Sequence, residues 1–129
     1  MSPHHDLDVW SRRIAAVGAA GFLAIGLWAF VDPESFYDEV ATFDPYNQHL
    51  LQDIGAFTIG LGAVLALAVA SPRLDALTVA LLGTGIGSGV HVVSHIIGHD
   101  LGGRPGVDIP LFGVLTIVLL VPGLLRWRS

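Results

Sequence analysis

The sequence predicts an all-α protein that crosses a membrane as a bundle of four helices. Hydrophobic residues make up 53% of the 129 residues and charged residues only 13%, so a water-soluble domain of this size would leave much apolar surface exposed. Four segments without Asp, Glu, Lys or Arg each approach the roughly 20 residues that cross a hydrocarbon core of about 30 Å. We therefore predict a single domain, residues 1–129, with helices at about 12–31, 48–70, 75–98 and 109–125.

The first predicted helix follows a polar segment, residues 1–11, that we expect to be poorly ordered. In the loop after the helix, Asp32 and Pro33 have the pattern of an N-cap followed by a proline in the first turn. Apolar residues then recur at helical spacing as far as Phe43. This pattern predicts that the loop contains a short amphipathic helix on the membrane surface.

The second and third predicted helices are joined by a short turn, residues 71–75, and short connections join antiparallel neighbours. The second helix begins with His49 and Asp53 on one face. The third carries a polar stripe within about 80° of one face: Thr84, Ser88, His91, His95 and His99. Residues that are equally far along the two helices from this turn lie at the same depth, so Asp53 lies level with residues 93–95. We therefore predict that the two polar faces meet.

The last predicted helix follows a loop rich in glycine and proline, residues 100–109. Most arginines fall on one side of the four-span arrangement, with Arg104 alone on the other. Because positive residues remain on the cytoplasmic side, we predict a multi-pass plasma membrane protein with both termini in the cytoplasm. The polar faces then lie near the extracytoplasmic surface.

The polar cluster predicts a transition-metal site. Imidazoles at positions i and i+4 of a helix can coordinate one metal ion, and a carboxylate from a facing helix can complete its coordination shell. We predict His91, His95 and Asp53 as the inner ligands, with His49 and His99 around them or at a second site. The chain has no cysteine, so the donors are nitrogen and oxygen, which suit Zn, Cu, Fe or Ni, and haem on two histidines is an alternative.

Two other interpretations stay open. His95 and Asp53 could instead act without a metal, as a general acid and base toward a lipid-like substrate in the bundle. The histidines could also be interhelical contacts in a structural or assembly subunit. The expected partners are the bilayer, a lipophilic small molecule and a second copy or another subunit. A net charge of −5 gives nucleic acid no basic surface to bind.

Two runs resemble a known group of proteins: DPYNQHLLQDIGAFTIGLGAVLALA, from residue 44, and GVHVVSHIIGHD, from residue 89. They resemble small four-span bacterial membrane proteins of unassigned function, of actinobacterial type, near the DoxX-like proteins. The residues that carry the resemblance are Asn47, His49, Asp53, His91 and His95. The resemblance implies a four-helix membrane fold and supplies neither an activity nor a cofactor.

Overall fold

The computed structural model describes residues 3–129, and helices are the regular secondary structure of that range. The α-helices are α1 (Pro3–Val31), α2 (Pro33–Phe36), α3 (Gln48–Ala70), α4 (Leu74–Ile97) and α5 (Pro105–Trp127), and a π-helical turn, Tyr37–Ala41, follows α2. The helices α1, α3, α4 and α5 are each long and apolar enough to cross a membrane. The predicted all-α class and four apolar segments are confirmed.

Two helices begin earlier than predicted. Helix α1 includes residues 3–11, which were expected to be poorly ordered, and residues 1 and 2 lie outside the described part of the chain. Within this extension Asp8 lies one turn before Arg12 and pairs with its guanidinium at 3.1 Å. Helix α5 begins at Pro105. Its start is capped by Asp108, whose carboxylate accepts a hydrogen bond of 2.8 Å from the backbone N–H of Arg104. Both extensions depend on polar side chains that satisfy charges or N–H groups near a helix end.

The connection between α1 and α3 forms a short helix, α2, as predicted, and its position on the membrane surface stays a prediction. Asp32 is the N-cap of α2 and accepts a hydrogen bond from the Ser35 N–H, and Pro33 occupies the first turn. Phe36 is buried and packs edge-on against Trp28 of α1 at 5.4 Å between ring centroids. Asn47 then caps α3 by accepting from the Leu50 N–H at 3.0 Å.

The four long helices pack as two close pairs. Helix α1 lies along the whole length of α3. At one end Arg12 donates a hydrogen bond to the carbonyl of Ser71, and at the other end the side chain of Gln52 donates to the carbonyl of Phe30. Glycines bring the backbones together: a Cβ atom on Gly26 would lie 2.7 Å from the Ile59 nitrogen. Helix α4 pairs with α5 in the same way, since a Cβ on Gly85 or Gly123 would overlap leucines of the facing helix.

One end of the molecule joins the two pairs. Asp8 of α1 accepts from Arg12 and, at 2.9 Å, from Arg126 of α5, whose side chain is only 6% exposed. Arg12 also donates to the carbonyls of Val69 and Ser71 at the end of α3. We call this cluster, Asp8, Arg12 and Arg126, the arginine end. Beside it lies the main apolar core, which draws residues from all four long helices: Ala15, Ala19, Leu65, Ala68, Leu77, Ala80, Leu81 and Leu119.

Candidate functional site

The site lies away from the arginine end and is built on the last turns of α4. His91 and His95 are one helical turn apart, and their Nε2 atoms are 2.9 Å from each other. Phe112 of α5 packs against both rings, with centroid distances of 4.3 Å to His91 and 5.4 Å to His95. The aromatic ring thus holds the two imidazoles in one orientation against α5.

Asp108 of α5 is the carboxylate of this site. Its Oδ2 atom lies 3.9 Å from the Nδ1 of His95, and the two side chains are 13% and 25% exposed. The Arg104 N–H fixes that same oxygen. His95 therefore presents one ring nitrogen to each neighbour, in a hydrogen bond with His91 and in a longer, electrostatic contact with Asp108.

The 2.9 Å contact needs one N–H donor and one acceptor, so one imidazole donates to the other, and which of the two donates depends on their tautomers. The Nδ1 of His95 is the ring nitrogen that faces the Asp108 carboxylate. His91, at the other end, is exposed.

The loop before α5 is held over the site by the first connection. The Arg104 guanidinium donates to the carbonyl of Glu39 at 2.9 Å, and the N–H of Gly103 donates to the carbonyl of Thr42 at 3.4 Å. Gly103 has a φ of 77°, a left-handed conformation that glycine adopts without strain. These contacts fix the backbone that positions Asp108.

Asp53 and His49 lie elsewhere. They pair with each other on α3, with 3.5 Å between Nε2 and Oδ2, and their side chains are 53% and 87% exposed. Asp53 is nine residues, or about half a turn in direction, from Gly62, which packs on α1. It therefore points away from the bundle, and the structure pairs His95 with Asp108 instead of the predicted Asp53.

His99 follows the end of α4. It is exposed, and its Nδ1 lies 3.2 Å from the carbonyl of Ile96, so it has a local backbone partner and does not join the His91 and His95 pair.

The predicted metal ligands do not converge. Within residues 3–129, no group of three or more His, Cys, Asp or Glu side chains is placed to hold a metal ion. The two Nε2 atoms of His91 and His95 face each other, but Asp108 lies at the opposite nitrogen of His95. A third donor is thus missing at the point where the two imidazoles meet, and the predicted set of His91, His95, Asp53, His49 and His99 is divided among separate places.

Sequence reasoning missed Asp108 and Phe112. Residues that are equally far from a connecting loop lie at the same depth on the two helices it joins, and this holds for the loop between α4 and α5 as it does for the turn between α3 and α4. Equal distances from the middle of that loop, near residue 101, place His95 level with residue 107 and His91 with residue 111. This estimate is one residue from the observed contacts.

Comparisons of the chain with protein-family models, with curated proteins and with solved structures find no match. The resemblance to DoxX-like proteins stays a prediction, and the functional conclusion rests on the site itself.

Proposed function

We propose that this chain is a multi-pass plasma membrane protein in which Asp108, His95 and His91 transfer a proton to or from a molecule dissolved in the bilayer. The observation that carries this proposal is the 2.9 Å contact between two imidazole nitrogens with a carboxylate at the far side of one ring. The 2.9 Å contact allows a proton to pass between the two imidazoles, and the carboxylate, 3.9 Å from the other nitrogen of His95, attracts the positive charge.

The transfer rests on a proposed pair of tautomers, with the proton of His95 on Nδ1, toward Asp108, and the proton of His91 on Nε2, toward His95. The Nδ1 of His91 accepts a proton from the bound molecule, and the proton on its Nε2 passes to the Nε2 of His95. The positive charge then lies on His95, whose Nδ1–H faces Asp108. A charge within a membrane span costs on the order of 2.5–3.5 kcal/mol on insertion scales, and the neighbouring carboxylate offsets part of that cost. Release of the His95 Nδ1 proton to water then leaves His91 protonated on Nδ1 and His95 on Nε2. Exchange of both rings with water restores the starting tautomers before the next transfer.

The proposed topology is an antiparallel bundle with both termini in the cytoplasm. Its support is the distribution of arginines. The arginine end and the turn at Arg73 lie on one side of the four spans, together with the remaining arginines except Arg104. By the positive-inside rule this side is cytoplasmic, which places the histidine site near the extracytoplasmic surface.

Metal or haem binding is the second candidate, and the convergence of two Nε2 atoms favours it. Two imidazoles on adjacent turns supply two nitrogen ligands, and Zn, Cu or Fe would need further donors from a bound molecule or water. Elemental analysis and a visible spectrum of the purified protein separate the candidates. Stoichiometric metal that is lost in His91→Ala and His95→Ala would replace the proton-transfer proposal.

Nitrogen NMR of the protein in lipid bilayers tests the proton-transfer proposal directly. With ¹⁵N-labelled histidine, we expect His95 to carry its proton on Nδ1 and His91 on Nε2, with a scalar coupling across the shared hydrogen bond. His49, in the exposed pair with Asp53, serves as the internal reference. Two histidines that titrate independently and show no coupling would contradict the proposal.

A further inference from the structure

A groove lies between α3 and α4, next to the turn that joins them. These two helices belong to different close pairs, and their glycines make contacts within each pair: a Cβ on Gly62 would meet Leu23 of α1, and a Cβ on Gly85 would meet Leu120 of α5. The groove between α3 and α4 has a volume of about 560 Å³. Ligand sites in proteins have volumes of about 300–1,000 Å³, so the space is large enough for a ligand.

Two alanines form the floor of this groove. Ala68 of α3 and Ala80 of α4 line it, are 4% and 3% exposed, and belong to the main apolar core. Leu67 and Val79 also line it and form its walls, since they are 71% and 61% exposed. An alanine side chain ends at Cβ, so the space is produced by two small residues between larger neighbours. We call this space the α3/α4 groove.

The α3/α4 groove is polar at one end and apolar along the rest of its length. Its lining extends from Ser71 to Val64 on α3 and from Arg73 to Ala80 on α4, which is seven residues, or about 10 Å, on each helix. The polar lining residues, Ser71, Arg73 and Asp75, lie at or next to the turn, and the deeper lining residues are apolar. This polarity matches a lipid with its head group at the turn and an acyl chain within the span.

One cation and one carboxylate stand at the polar end. Arg73 and Asp75 are both exposed, and neither takes part in an ion pair within the described part of the chain. The backbone N–H of Arg73 donates to the hydroxyl of Ser71 at 3.1 Å, which fixes the turn that carries the guanidinium. The groove therefore offers a positive and a negative group to the same ligand.

These two charges select the head group. A guanidinium matches the geometry of a phosphate and binds it through two N–H groups. A carboxylate accepts charge-assisted hydrogen bonds from an ammonium N–H. Phosphatidylglycerol supplies the phosphate without a cation, and the quaternary ammonium of phosphatidylcholine has no N–H to donate. A head group with a phosphate and a primary ammonium satisfies both Arg73 and Asp75.

We propose that the α3/α4 groove binds phosphatidylethanolamine from the leaflet on the side of the turn. The phosphate lies at Arg73, the ammonium lies at Asp75, and one acyl chain runs between Leu67 and Val79. Val79 is twelve residues, or about 18 Å along α4, from His91. The inference is therefore independent of the proposed proton transfer.

Photolabelling of the full chain tests the groove. The chain is placed in phosphatidylcholine nanodiscs with phosphatidylethanolamine that carries a diazirine in its acyl chain, and labelled peptides are mapped by mass spectrometry after irradiation. We expect saturable labelling around Leu67 and Val79, because both side chains line the groove. Unlabelled phosphatidylethanolamine should remove this labelling, and equal amounts of phosphatidylglycerol should compete less well.

Three single substitutions test recognition of the head group. Arg73→Gln removes the phosphate contact and should weaken binding by about two- to fivefold, the range of one exposed ion pair. Asp75→Asn removes the ammonium contact, so phosphatidylglycerol should then compete as well as phosphatidylethanolamine. The control is Arg128→Gln, which changes an exposed arginine outside the lining of the groove and should alter neither result.

A matched pair of tryptophan substitutions tests the position of the acyl chain. Val79→Trp should fill the groove and abolish the saturable labelling. Val90→Trp makes the same substitution eleven residues later, within about 20° of the same face of α4 and at a similar exposure of 63%, and should leave labelling unchanged. Circular dichroism and size-exclusion elution check folding, and Leu67→Trp fills the groove from α3 if Val79→Trp does not fold.

Four results would overturn the proposal. Equal competition by phosphatidylglycerol against the unsubstituted chain would show that the amine is not recognised. Loss of labelling with water-soluble glycerophosphoethanolamine would show that the site takes a free head group instead of a membrane lipid. Labelling that extends equally to Val90 would show bulk lipid, and cross-links between the Val79 positions of two chains would show that a second copy fills the groove.

Discussion

At the scale of single residues, we expect the Asp108 carboxylate to decide which ring nitrogen of His95 carries the proton. In Asp108→Asn, the side-chain amide can donate to the Nδ1 of His95, so we expect the tautomer of His95 to reverse and its proton to move to Nε2. The ¹⁵N chemical shifts of His95 should exchange accordingly. Asp53→Asn removes the carboxylate beside His49 and should leave His95 unchanged. Equal effects of the two variants would show that Asp108 does not set the tautomer.

A second residue-scale prediction concerns the connection between α1 and α3. The hydroxyl of Tyr37 donates a 2.6 Å hydrogen bond to Asp44, and this bond, together with nearby negative charge, raises the pKa of Tyr37 above its ordinary value of 10.0. The hydrogen bond favours the neutral phenol in the folded state. Its stabilising contribution is therefore complete below pH 10 and is lost as pH rises through the pKa of the folded protein.

Absorbance of tyrosinate during an alkaline titration measures this effect. Asp44→Ala should lower the titration midpoint of Tyr37, whereas Asp38→Ala, which removes the smallest of the contributing charges, should lower it less. A larger shift in Asp38→Ala would contradict the assigned cause.

At the scale of elements, the α1 and α3 pair depends on close backbone contact. A Cβ atom on Gly55 would lie 2.7 Å from the nitrogen of Phe30 and 2.8 Å from the carbonyl of Gly26, so Gly55→Ala must separate the helices. We expect a loss of about 1–3 kcal/mol in the free energy of unfolding, as for other overpacked sites. Thermal or detergent-induced unfolding measures it.

Gly60 on the same helix is the control. No atom lies within 4 Å of a Cβ placed there, and alanine favours a helix by about 0.8–1.0 kcal/mol over glycine. Gly60→Ala should therefore unfold no more easily than the original chain. Equal destabilisation by both substitutions would mean that the α1 and α3 contact contributes nothing specific.

At the scale of the whole molecule, topology is the main prediction. The chain contains no cysteine, so single cysteines report on one position at a time. In intact cells, a membrane-impermeant maleimide should label Asp38→Cys from outside and label Arg73→Cys only after permeabilisation, because arginines remain on the cytoplasmic side. The reverse pattern would invert the proposed orientation.

The parts of the structure that follow from local sequence were predictable. The four long helices follow from uninterrupted apolar runs, and the His91 and His95 pair follows from the helical repeat. The early start of α1 was missed although the Asp8 and Arg12 pair lies one turn apart in the sequence; the second partner of Asp8, Arg126, is 118 residues away and was not predictable. The partner of His95 was also missed. Asp53 and Asp108 both lie at a suitable depth, and the choice depends on Gly85 and Gly123, which bring α4 against α5.

The Asp8 and Arg126 pair has a consequence for biosynthesis. Because Arg126 lies near the end of α5 and 118 residues after Asp8, this contact cannot form until the ribosome has made all of the four long helices. Until then Asp8 has Arg12 as its neighbour on the same helix, which keeps the carboxylate neutralised during insertion. The ion pair between α1 and α5 therefore forms late, and nascent chains that stop before residue 126 should leave the translocon without it.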